Sequence, residues 1–230
     1  SAARHGLALI PTRLRHLGTD RCPDLLARMR DLLSDRIEIR FGAEVARIDL
    51  ADGLVQGVTD RTGVQCSAPF VILAVGRDGA DWLAGESRRL GLSTGMNPVH
   101  IGLRVELPAA VLAPLTETAY EAKLRYTFRT FDDQVRTFCM CPHGEVIREE
   151  YAGVTTVNGH SYSERRTENT NFAILVSTTF TEPFREPVAY GQSVARLANL
   201  LGGQILVQRL GDLRAGRRSS IACCSFSRRS

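Results

Sequence analysis

No run of apolar residues in this chain approaches the roughly 20 needed to span a bilayer; the longest is Phe70 to Val75. A membrane helix is therefore excluded. The amino end, SAARHGLALIP, has no charged stretch leading into a long apolar one, so no secretory signal is read there. An initiator Met is also missing, and the chain is expected to have been cut from something longer. The six cysteines (22, 66, 139, 141, 223 and 224) have neither a framework spacing nor a C-x-x-C pair. They are read as reduced thiols of a cytoplasmic protein. There is no internal repeat. Little net charge is present either: 29 basic against 25 acidic side chains give +4. Six Arg (209, 214, 217, 218, 228 and 229) against the single Asp212 fall in the last 22 residues, so the remaining body is close to neutral. A short Arg-rich, Ser- and Gly-rich end is read as solvated, and no nucleic-acid partner is expected.

What the chain does have is an ordinary globular composition: 230 residues, 43% hydrophobic and 23% charged, with a mean hydropathy of -0.10. Leu25, Leu26, Met29, Leu32 and Leu33 recur at helical spacing and predict an amphipathic helix over 24–34. Short extended segments follow at 37–41, 44–50, 54–59, 64–67 and 70–74, broken by turn signals at Asp52-Gly53 and at 60–63. The middle three read as an antiparallel meander. The last, PFVILAVG, has the form of a strand buried on both faces of an open sheet. A helix is expected over 80–91. VHIGLRVELP (99–108) then alternates strictly between apolar and other residues, as a half-buried strand does. More strands are read at 124–130, 135–141, 146–150, 154–157 and 172–180, and a helix at 188–201, with order decaying after Leu213.

The pattern switches between Gly95 and Pro98. The fold class implied is a mixed one, α/β in its first part and α+β in its second. Residues 1–97 form one domain and 98–204 a mostly antiparallel β-rich one, with 205–230 a return segment and basic tail.

Several longer words carry a resemblance: HLGTD (16–20), VILAVGR (71–77), IGLRVELP (101–108), RTFCMCPHGEV (136–146), VNGHS (157–161), TNFAILVS (170–177) and VQRLGDLRAGRRS (207–219). Across residues 10–219 the chain resembles the NAD(FAD)-utilizing dehydrogenases, FAD-dependent oxidoreductases with two dinucleotide-binding domains. That resemblance implies a partial Rossmann-like FAD domain with an inserted substrate domain, FAD as cofactor, a small-molecule substrate and NAD(P)H as a candidate partner. It places Glu44 and Val45 at the adenine, and Ala74, Val75 and Gly76 near the adenosine half of FAD. Two departures stand out. No GxGxxG occurs, although that unit holds the pyrophosphate on a helix amino terminus, and IACCSFSRRS at the end matches nothing in the pattern. Whether the chain alone holds FAD is thereby put in question.

Candidate catalytic residues are Arg104, Cys139, Cys141 and His160. Arg104 and His100 share the polar face of one strand, with Gly102 between them leaving room for a flat ligand. Arg104 suits a substrate carboxylate, or a plain surface pair with Glu106. Cys139 and Cys141, two apart on a strand, place both sulfurs on one face. Three uses are open to them: a redox dithiol, part of a zinc site with His143 and either His160 or a distant Cys, or packing. No metal is assigned. His160, in an Asn-Gly-His-Ser turn, is a candidate proton donor. Asn169 and Asn171 read as turn residues ahead of a strand. A binding module without cofactor, or a zinc-stabilised interaction domain, remain the alternatives to a flavoenzyme.

Overall fold

The computed structural model describes residues 2–11, 16–131, 133–181, 183–184 and 186–219. Residues 220–230, with Cys223 and Cys224, lie outside them, as do parts of the expected basic tail. Along the chain run β1 (Ala8–Leu9), α1 (Cys22–Ser34), β2 (Val45–Ala51), β3 (Leu54–Asp60), β4 (Gln65–Ser67) and α2 (Ala80–Arg89). After these come β5 (Val99–Pro108), α3 (Ala109–Thr116), β6 (Leu124–Phe128), β7 (Asp133–Cys141), β8 (Glu145–Tyr151) and β9 (Val154–His160). The last are β10 (Asn169–Thr178), α4 (Pro187–Gly202) and α5 (Leu210–Arg214). The architecture is mixed, with antiparallel sheets, in keeping with an α+β fold. Two compact units divide it: Leu26–Gly95, and Ser1–Leu25 together with Met96–Ser230.

Within Leu26–Gly95, β2, β3 and β4 form the expected three-stranded antiparallel meander. Asp52 and Gly53, both left-handed, close its first hairpin in two residues. Helix α2 is fastened to the free edge of β2 by side chains that satisfy main-chain groups. Glu86 Oε2 accepts from the Ile48 N–H at 3.0 Å, Arg89 Nη2 donates to the Ile48 carbonyl at 2.6 Å, and Trp82 Nε1 donates to the Ala46 carbonyl at 2.9 Å. Arg89 also grips Glu86 in a two-point contact, Nε to Oε1 at 2.9 Å and Nη2 to Oε2 at 2.6 Å. Ile48, Glu86 and Ser87 are buried beneath this clamp.

Two expected strands do not form here. Residues 37–41 and 70–74 carry no ladder pairing. A strand buried on both faces needs neighbours to pair with and layers to cover it; among the described residues PFVILAVG has neither, and Phe70 is 86% and Ile72 92% exposed. The apolar stripe of α1 forms its helix as expected but is likewise uncovered, with Leu26 63% and Leu32 73% exposed.

In the larger unit the strand order is β1-β6-β7-β10-β5, antiparallel throughout, with β8 and β9 a separate hairpin. The strict alternation of 99–108 becomes β5, paired over its whole length with β10. The space beside Gly102 belongs to β10 rather than to a ligand: a Cβ there would stand 1.8 Å from the Ile174 carbonyl oxygen. Asn169 and Asn171 lie inside β10, not in a turn before it. Helix α4 begins with Pro187 in its first turn and ends at left-handed Gly203, as the Gly202-Gly203 pair predicts. Helix α3 was not legible, because Pro114 interrupts its period. Order also continues past Leu213. Asp212, lowered from its ordinary carboxylate value by Arg217 and then Ser219, accepts from Arg217 Nε at 2.7 Å and Ser219 Oγ at 2.9 Å.

The α2 clamp has a pH signature. Arg89 holds the Glu86 carboxyl below its ordinary value of 4.5, with the Ile48 N–H adding to the effect. A depressed carboxylate contributes stability that is fully present above the unfolded value and lost as pH falls through the folded one. Urea midpoints measured across this range should drop below about pH 4.5 in the natural chain. The part of that drop due to Glu86 should vanish in Glu86→Gln.

Candidate functional site

Polar side chains occupy the most enclosed part of the larger unit. Among the described residues Asn171, Thr170 and Ser161 are the largest fully buried ones, and Met140, Cys141 and Ala173 are buried as well. Burying amide and hydroxyl groups is unfavourable unless they are hydrogen-bonded: Thr170 Oγ1 accepts from the His143 N–H at 3.3 Å, and Asn171 is paired by Arg104. Its Nε donates to Asn171 Oδ1 at 2.7 Å and its Nη2 to the Cys139 carbonyl at 2.7 Å, with Cys141 Sγ at 3.5 Å. It does not pair with Glu106. Among the described residues no carboxylate lies within 4.0 Å of its guanidinium, and its Nη1 has no hydrogen-bond partner.

Gly159 of β9 supplies the floor. A Cβ there would sit 1.6 Å from Arg104 Nη2 and 2.8 Å from Asn171 Oδ1, so only glycine lets the guanidinium lie on the strand.

Opposite Arg104 the β7–β10 ladder slips. Asn171 faces Cys141 while Ala173 faces Phe138, so β7 carries one extra residue. Cys139 takes up the irregularity with a left-handed φ of 46°. Such a conformation costs a residue with a Cβ about 1–2 kcal/mol. Both main-chain groups of Cys139 are held: its N–H donates to Glu121 Oε1 at 3.1 Å, and its carbonyl accepts from Arg104. The bulge ends simple strand alternation, but Cys141 still reaches back to Cys139, its Sγ donating to the Cys139 carbonyl at 3.6 Å. Cys139 is half-buried and Cys141 buried.

The electrostatics separate the pair. Hydrogen bonding from Cys141, then the charge and N–H donors of Arg104, lower the Cys139 thiol to about 6, against burial and Glu121. Cys141 moves up, through its bond to Cys139, burial and the neighbouring thiolate charge. Burial also raises the Tyr120 hydroxyl, with Cys141 and Cys139 adding to it.

Three residues of the HLGTD word complete the surroundings, although only their resemblance value was legible. His16 Nε2 and Ser161 Oγ are 2.6 Å apart, Thr19 Oγ1 is 3.1 Å from the same hydroxyl, and the Thr19 N–H donates to the Ser161 carbonyl at 2.8 Å. Asp20 accepts from Ser163 through both main chain and hydroxyl. The His16 ring stacks on Tyr120, centroids 4.4 Å apart. Sequence reasoning also passed over Asn171, whose Nδ2 is buried without a hydrogen-bond partner.

The structure thus brings Arg104, Cys139 and Cys141 together. The described contacts of the His160 ring are elsewhere, edge-on to Tyr162 at 4.7 Å. His143 Nδ1 lies 3.0 Å from the Thr167 carbonyl. Among the described residues no group of three His, Cys, Asp or Glu side chains could hold a metal ion, so the zinc reading gains nothing. Glu44, Val45, Ala74, Val75 and Gly76 belong to the other unit. Glu44 pairs with Arg61 at 2.8 Å, and Gly76 is left-handed, φ 65°, with open space where a Cβ would be.

Residues 98–227, more than half of the chain, match the family model described as FAD-dependent protein, C-terminal domain-like. The chain belongs to this family. The match runs past Ser219, where the last of the resembling words ends. An uncharacterized protein of Clostridium beijerinckii is 27% identical over 227 residues, covering 89% of this chain and 42% of its own length. The chain therefore spans less than half of the relative it matches. FAD dependence follows at the level of the family; no helix among the described residues is long and apolar enough to cross a membrane.

This FAD-dependent C-terminal-like domain depends on the bare main chain at Gly159. Gly159→Ala should displace Arg104 and destabilise the chain by about 1–3 kcal/mol, read as a lower urea midpoint. Gly153→Ala, at a hairpin turn with open space around it, should leave the Cys139 thiol unchanged when its ionisation is followed by thiolate absorbance.

Proposed function

We propose that this chain is part of an FAD-dependent oxidoreductase, a dehydrogenase acting on a small molecule, with NAD(P)H as its candidate electron partner. The observation that carries the reading is the family match over the unit that contains the Arg104 cluster. On this reading Leu26–Gly95 contributes the rear of a Rossmann-like FAD domain. The uncovered PFVILAVG segment is its central strand, awaiting the layers that a longer protein supplies, in line with the chain spanning 42% of its relative.

The residues present suit such a cofactor. Main-chain groups at Ala74, Val75 and Gly76 stand without ladder partners, and the space beside Gly76 lets a ligand approach the backbone. Glu44 and Val45 would meet the adenine end. In the other unit Asn171 Nδ2 and Arg104 Nη1 are unused donors, of the kind that suits a substrate carboxylate. When bound, FAD would supply the two-electron acceptor for the substrate. The protein's share is then to aim and bind. Arg104 would orient an acidic or carbonyl oxygen beside Cys139 and Cys141, and His160, on the neighbouring strand β9, would hold or deliver a proton. A cytoplasmic setting belongs to this reading.

The full-length parent, purified gently, should show the visible absorbance of oxidised flavin, bleached by dithionite. A colourless, folded parent that takes up no added FAD would contradict the proposal. Arg104→Met in the parent should raise KM for an acidic substrate by about tenfold or more, as loss of one charge-assisted contact does.

A further inference from the structure

We infer that Cys139 and Cys141 form a hydroperoxide-reactive dithiol, with Cys139 the attacking sulfur, Cys141 the resolving one and Arg104 the residue that positions them. The inference goes beyond the flavin reading and does not rest on it.

Four observations converge. Across a bulge in β7 the Cys141 sulfur folds back onto the left-handed Cys139, 3.6 Å from its carbonyl oxygen. Cys139 is half-buried, open to a small oxidant, whereas Cys141 is buried. The Arg104 guanidinium touches the Cys139 carbonyl and the Cys141 sulfur, yet no described carboxylate neutralises it. Both main-chain groups of Cys139 are pinned, by Glu121 and Arg104, so a strained backbone is held in place rather than relaxed. A pair present only for packing would need neither the strained backbone nor the unneutralised cation.

The groups facing Cys139 are Cys141, Arg104 and Glu121, with Tyr120 beside the pair. Cys141 and Arg104 favour the thiolate and Glu121 opposes it, in keeping with the lowered thiol value already described.

The chemistry balances with a hydroperoxide as oxidant. The Cys139 thiolate attacks the terminal peroxide oxygen; an S–O bond forms, the O–O bond breaks, and the departing alkoxide or hydroxide takes a proton from water. The Cys141 sulfur then attacks Cys139. An S–S bond forms, the S–O bond breaks, and hydroxide leaves with the Cys141 proton as water. Two electrons pass from the dithiol to the peroxide. A disulfide closed over one intervening residue is a strained one, and strained disulfides are readily reduced again, which suits a centre that cycles.

The test uses the whole reduced chain and hydrogen peroxide at equal molarity, followed by alkylation and peptide mass mapping. The peptide bearing Cys139 and Cys141 should lose two hydrogens, reversibly with dithiothreitol, before exposed Cys22 or Cys66 loses its thiol. In Cys141→Ser, oxidation should stop at a Cys139 sulfenic acid trapped by dimedone. In Cys139→Ser, Cys141 should stay reduced. Alkylation of Cys139 should reach half its plateau near pH 6. That midpoint should move up by about one pH unit or more in Arg104→Met and return towards the natural value in Arg104→Lys, the change expected for a nearby charge. A purely structural Arg104 would not move the midpoint. Should a variant fail to fold, the natural chain alone decides. Free thiols at 139 and 141 after Cys22 and Cys66 have oxidised would overturn the inference, as would oxidation by glutathione disulfide but not by peroxide.

Discussion

Arg104 ties together the irregular part of the large sheet. From the middle of β5 it reaches the amide of Asn171 on β10 and the carbonyl of Cys139 on β7, and it lies on the bare backbone of Gly159 on β9. A bulge leaves main-chain groups unpaired, and unpaired buried groups are unfavourable. The guanidinium supplies the missing donors at one end of Cys139, and Glu121 supplies the acceptor at the other. That one side chain thereby supports the left-handed Cys139, touches the Cys141 sulfur and pairs the buried Asn171. The same logic recurs in the smaller unit, where Glu86 and Arg89 satisfy both main-chain groups of Ile48.

Sequence periodicity reported most of the regular structure because a strand or helix that buries one face must repeat at two or 3.6 residues. The meander of β2, β3 and β4, the long strand β5 and helix α4 follow from that rule. Periodicity misled where burial depends on partners rather than on the segment itself. PFVILAVG has the composition of an enclosed strand, but pairing is a property of two segments, and no described segment pairs with it. The apolar stripe of α1 is uncovered for the same reason. Helix α3 escaped notice because Pro114 masks its period.

The site was legible in parts. Arg104, Cys139 and Cys141 could be singled out by residue type, and they do come together. Their geometry could not be read, since the bulge that turns Cys139 over is an offset between β7 and β10, visible only once both strands are paired. Asn171 was hidden by its own chemistry: an Asn before an apolar run reads as a turn, whereas here it is enclosed because Arg104 offers it a charged partner. His16 and Ser161 are 145 positions apart, a separation at which one sequence holds no signal.

FAD dependence follows at the level of the family, while the Arg104 cluster shows what this chain itself offers: unused donors, a pinned thiol and a buried companion thiol. Both depend on the guanidinium being coupled to its strand partners. A double-mutant cycle on unfolding free energy, with Arg104→Met, Asn171→Ala and the pair together, measures that coupling most directly. The expected coupling energy is about 1–3 kcal/mol, as for a hydrogen bond to a charged group. Additivity within about 0.3 kcal/mol would contradict a central role for Arg104.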